Sequence, residues 1–63
     1  MTENLPALLD VPAAAARLGV PVSFVRRLVH ERRVPFVKVG RLVRFDPADL
    51  EAFIAAARTE ARP

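Results

Sequence analysis

Proline and glycine cut this chain into pieces too short for any long element, and each cut has a local meaning. Between Pro12 and Pro47 no stretch free of both residues is longer than residues 22–34. Asp10-Val11-Pro12 reads as an N-cap followed by proline in a first helical turn, where its missing N–H costs nothing. Val11, Ala14, Ala15 and Leu18 then recur at i, i+3, i+4, i+7, the spacing that gathers side chains on one helical face. Gly19 admits positive φ and ends that helix. A second helix is predicted from about Pro21, with Val25, Leu28 and Val29 on its buried side, and Val34-Pro35 limits it to about Arg32. Residues 36–45 carry Val, Phe and Leu around Gly40, which predicts two short strands with a turn at Gly40 and Arg41. The register of that hairpin stays open. Asp46, Pro47 and Asp49 open a third helix, in which Leu50, Phe53, Ile54 and Ala57 share a face.

The predicted class is therefore mainly α with a small β-hairpin, in the order α-α-β-β-α. Sixty-three residues allow one domain, and a chain of that size buries only about 60% of the surface its unfolded form exposes. No cysteine is available to staple it, and one histidine is a poor start for a zinc site. Apolar packing must hold the fold alone. Of the 52% hydrophobic residues many are alanines, so the core is expected to be small, with Phe36, Phe45 and Phe53 inside it and Phe24 at its edge. The domain is expected over residues 8–57, with a flexible N-terminus at 1–7 and a frayed tail at 58–63.

The longest apolar run, residues 11–16, is far below the roughly 20 residues of a membrane span. Residues 1–6 contain an acid and no base, unlike a secretory signal, so the expected location is cytoplasmic, without membrane association. The net charge is only +3, yet it is unevenly spread. Residues 22–45 hold Arg26, Arg27, Arg32, Arg33, Lys38, Arg41 and Arg44 against Glu31 alone, while most acids lie outside. Basic residues on a helix are ordinarily just a solvated face, but so many in one segment imply a polyanionic partner.

Ala15, Gly19, Val25 and Leu28 occupy the small, glycine, apolar and apolar positions of a helix-turn-helix over residues 11–30. Ala15 must be small because the helices cross closely, Gly19 makes the turn, and Val25 with Leu28 anchors the second helix. That leaves Val22, Ser23, Arg26, Arg27 and His30 facing outward. Arginines there can pair with guanine O6 and N7 or hold phosphates. For His30 an exposed role at the helix C-terminus is the stronger reading beside DNA contact, and for Val22 a packing role is an equal one. Catalysis has little support: there is no thiol, the one serine, Ser23, lies on this face, and capping accounts for most carboxylates. No enzyme activity, metal, cofactor or small-molecule ligand is expected.

Across residues 8–54 the sequence resembles the excisionase-like, MerR-related winged helix-turn-helix domains. The resemblance rests on several blocks in order: Leu9-Asp10-Val11-Pro12-Ala13-Ala14-Ala15, Leu18-Gly19-Val20, Arg27-Leu28-Val29, Val34-Pro35-Phe36-Val37-Lys38-Val39-Gly40-Arg41, Arg44-Phe45 and Asp49-Leu50-Glu51-Ala52-Phe53. It implies that the second helix enters the DNA major groove while the hairpin, as a wing, lies along the backbone or in the minor groove. Arg27, Lys38, Arg41 and Arg44 are the contacts it implies. It also implies cooperative, DNA-bending binding beside an integrase, or else transcription regulation by the same architecture. An antitoxin-like or adaptor module is a further alternative, and a large exposed apolar patch, which the sequence does not clearly show, would favour it. Two departures bear on local structure. Pro21 stands where these domains usually have a serine or threonine cap, leaving Ser23 or water to serve that helix end. Arg32 stands where glycine is frequent, so either the helix runs on and shifts the wing or an arginine takes left-handed geometry, at roughly 1 kcal/mol or more.

Overall fold

The computed structural model describes residues 7–59. The termini expected to be flexible or frayed lie outside the described residues, except Ala7, Arg58 and Thr59. The elements are α1 (Val11–Leu18), α2 (Val22–His30), β1 (Val37–Val39), β2 (Leu42–Arg44) and α3 (Pro47–Ala57). This is the expected α-α-β-β-α order of a winged helix-turn-helix. No helix among the described residues is long and apolar enough to cross a membrane.

Side-chain caps start two of the helices. The Asp10 carboxylate accepts from the Ala13 N–H at 2.9 Å, and that of Asp46 accepts from the Ala48 N–H at 2.9 Å. Each satisfies an N–H that the helix itself leaves without a partner. At α2 no side chain caps the helix, and Pro21 occupies the cap position in extended backbone. Ser23 does not supply the missing oxygen. It already lies inside the first turn, whereas a capping side chain projects from the extended residue that precedes it.

Both α1 and α2 close with the same pair of hydrogen bonds. After α1, Gly19 N–H donates to Ala16 O at 3.2 Å and Val20 N–H to Ala15 O at 3.0 Å. After α2, Arg32 N–H donates to Val29 O at 3.0 Å and Arg33 N–H to Leu28 O at 2.8 Å. This Schellman closure requires a left-handed residue, which is Gly19 at φ 71° in the first case and Arg32 at φ 54° in the second. Of the two outcomes open for Arg32, the helix does not run on. The chain must reverse at once to bring Val34 into the core, where it is buried.

The strands pair antiparallel, with Val37 opposite Arg44, Lys38 opposite Val43 and Val39 opposite Leu42. Gly40 at φ 63° and Arg41 form the two-residue turn, and positive φ at the first of these alone is the type II′ pattern that suits hairpin twist. Beyond β2, Phe45 exchanges two backbone hydrogen bonds with Leu9, each 2.8 Å, tying the hairpin to the segment before α1.

The core draws Ala14 and Ala15 from α1, Val25 and Leu28 from α2, and Leu50 from α3, with Val34 and Phe45 from the connections. Alanines at the α1 contact let α2 approach closely. Of the three phenylalanines expected inside, only Phe45 is fully buried; Phe36 and Phe53 pack against the core from its rim. On α3 the expected face is buried at Leu50, half-buried at Phe53 and Ile54, and exposed at Ala57. At about 1.5 Å per residue, an 11-residue α3 outreaches the 8-residue α1 it packs on, so its last turn has nothing to cover it.

Truncating Phe45 to Ala is expected to cost about 3–5 kcal/mol and to abolish cooperative thermal unfolding, while Phe53→Ala keeps a cooperative transition at lower temperature. An added Cβ at Gly19 meets nothing within 4 Å. Gly19→Ala is therefore expected to cost only the left-handed backbone penalty, about 1–2 kcal/mol in urea titrations.

Candidate nucleic-acid interface

The second helix separates its two faces sharply. Val25 and Leu28 are buried against α1, and Ser23, Arg26, Arg27 and His30 are exposed on the opposite side. Val22 is half-buried and packs on the core, so it belongs to the flank of this face rather than its centre. The exposed face is itself divided. Ser23 and Arg27 share a shallow depression with Pro21 and Phe24, whereas Arg26 and His30 share another with Val11, Val29 and Val43, on the wing side.

The strand register sorts the wing cations. Cross-strand partners lie on one face, and successive residues alternate. Lys38 therefore shares the face of Val43, which packs on the core and lines the depression beside α2. Arg44 lies on the other face with Val37, Val39 and Leu42, and its guanidinium donates to the Val43 carbonyl at 2.8 Å. Arg41 sits in the exposed turn. Lys38, Arg41 and Arg44 thus do not form one surface. Lys38 instead joins Arg32 and Arg33 around a concavity between the end of α2 and β1. The sequence counts Arg32 and Arg33 in the basic run of residues 22–45 but does not single them out as contacts.

Charge pairing strengthens the segregation. Among the described residues the ion pairs are Arg17–Glu51 at 4.0 Å, joining α1 to α3, and Arg33–Glu31 at 3.5 Å. Arg26, Arg27, Arg32, Lys38 and Arg41 have neither an ion-pair partner nor a side-chain hydrogen bond among those residues. The carboxylates of Asp10 and Asp46 are engaged at helix starts. The surface formed by α2 and the inner wing consequently presents cations that no described acid neutralises, a net positive charge suited to a polyanion.

The outer wing face is different in kind. Val37, Val39 and Leu42 are 38%, 49% and 53% exposed there, and Phe24 on α2 is 41% exposed. Alternation did not reveal this apolar face, because in β1 it suggests that Val37 and Val39 face the core, whereas the structure turns the face of Lys38 and Val43 that way.

Three helices with a two-stranded wing, and a second helix whose cationic face points outward, define a small winged helix-turn-helix DNA-binding domain. Residues 8–58 match the Helix-turn-helix domain family, and the chain belongs to it. No curated protein and no solved structure matches it significantly.

Because these cations are exposed and unpaired in the fold, Arg26→Ala, Arg27→Ala and Arg41→Ala are each expected to leave unfolding free energy within about 0.5 kcal/mol of the parent in urea titrations.

Proposed function

We propose that this protein is a small, sequence-specific binder of double-stranded DNA that acts in the cytoplasm as an excisionase or recombination directionality factor. The observation that carries the reading is the set of unpaired cations on α2 and the inner wing. In this reading the exposed face of α2 enters the major groove, with Ser23, Arg26 and Arg27 at base edges or phosphates and His30 at the far end. Val22 touches a thymine methyl from the flank. Lys38 and Arg41 contact the backbone from the wing, whereas Arg44, on the outer face with its guanidinium held by the Val43 carbonyl, stands apart from this contact set. The chemistry is recognition and not catalysis.

A single module of this size covers little DNA, so useful affinity comes from neighbouring protomers on adjacent sites, which together bend the duplex and assist an integrase. The resemblance to excisionase-like domains supports that role. A small transcription regulator would use the same groove contacts. The exposed Val37, Val39 and Leu42 favour a protein contact on the outer wing, consistent with adjoining protomers and also with the alternative of an adaptor or antitoxin-like module.

With about five phosphates neutralised, log affinity for a mixed-sequence duplex is expected to fall against log salt with a slope of roughly −4 to −5 in anisotropy titrations. Arg27→Ala is expected to weaken binding by about 1–3 kcal/mol. Selection from a random duplex library is expected to return tandem motifs with laddered mobility shifts. Absence of binding at low salt would transfer the case to the protein-interaction reading.

A further inference from the structure

Arg32 is the one described residue other than glycine with positive φ, at 54°. Glycine takes that conformation without steric cost, whereas an L side chain is strained there. The closure of α2 does not need the side chain, since it is made by the backbone N–H groups of Arg32 and Arg33. The guanidinium of Arg32 has no ion-pair or hydrogen-bond partner among the described residues. A strained residue whose side chain does nothing for the fold is a candidate for function.

Its surroundings indicate which. Arg32, Arg33 and Lys38, together with Val34, Pro35 and Phe36, line an open concavity of about 650 Å³. The nearest acid in sequence, Glu31, pairs with Arg33 at 3.5 Å through exposed side chains, and such a pair contributes little. Cationic charge therefore remains in excess. The concavity also bridges two elements, the end of α2 and the inner face of β1. If the exposed face of α2 lies in a groove, the sugar-phosphate strand bordering that groove passes between helix and wing at this place.

We propose that Arg32, with Arg33 and Lys38, seats a backbone phosphate of duplex DNA at the junction of helix and wing, and that this contact is why an arginine rather than the unstrained glycine occupies the left-handed position. This rests on the duplex-binding reading above and adds to it a phosphate seat that the other contacts do not include. The bland alternative is that Arg32 only offsets the negative end of the α2 dipole, in which case its loss would lower stability and spare binding.

The test is Arg32→Gly, with Arg32→Lys as the conservative variant and Arg58→Ala as a control for loss of one remote charge. Thermal unfolding and anisotropy titration of a labelled mixed-sequence duplex over a salt series are read for each. For Arg32→Gly an unfolding midpoint equal to or above that of the parent is expected. Its affinity should fall about tenfold at low salt, with a salt slope shallower by about one, in a sequence-independent manner. Arg32→Lys should keep the slope. Arg32→Gly binding like the parent, or losing no more than Arg58→Ala, overturns the phosphate seat while leaving duplex binding intact. A parent protein that does not bind duplex at low salt overturns both.

Discussion

The exchange of two 2.8 Å backbone hydrogen bonds between Leu9 and Phe45 positions nearly everything else. Phe45 is fully buried, so its ring fixes the base of the hairpin in the core while its backbone holds the segment that leads into α1. Its neighbour Asp46 caps α3. One residue thereby sets the wing, the approach to α1 and the start of α3 relative to one another. In a domain without disulfides, and with alanines supplying part of the core, no second feature of comparable reach is present among the described residues.

That rigid centre gives meaning to the charge distribution. Among the described residues Asp10, Asp46 and Asp49 serve helix starts, Glu51 joins α3 to α1 and Glu31 pairs with Arg33, so most bases of residues 22–45 are left without an acid on α2 and the wing. Separation of this kind costs the isolated protein some self-repulsion and is repaid when the cations meet phosphates. The outer wing face, with Val37, Val39 and Leu42 exposed beside Arg44, is chemically distinct and suits contact with protein rather than with a polyanion.

Much of this was legible in the residues because it depends on local chemistry. The caps at Asp10 and Asp46, the turn at Gly19 and the hairpin at Gly40 all stand where aspartate, proline and glycine announce them. The buried stripe of α2 followed from helical spacing. What was not legible depended on tertiary packing. Hairpin register escaped because alternation in β1 sets Val37 and Val39 against Lys38 and so suggests that the valines face inward, whereas the structure turns the face of Lys38 and Val43 to the core, and the expected wing set of Lys38, Arg41 and Arg44 proved to be split. Phe53 shares the helical face of fully buried Leu50 yet is only half-buried, a difference that spacing along α3 does not reveal. The left-handed turn at Arg32 is disfavoured locally and is imposed by the burial of Val34 a short distance on. Arg32 and Arg33 consequently entered the candidate interface only through the structure.

Two-dimensional amide NMR of the labelled protein during titration with a short duplex reads out directly which surface meets DNA. Shifts are expected to concentrate in α2 from Ser23 to His30, at Arg32, Arg33 and Lys38, and in the turn at Arg41, with the amides of α3 from Leu50 to Ala57 unmoved. Shifts centred on α3, or on Val37, Val39 and Leu42 with α2 unaffected, would contradict this assignment.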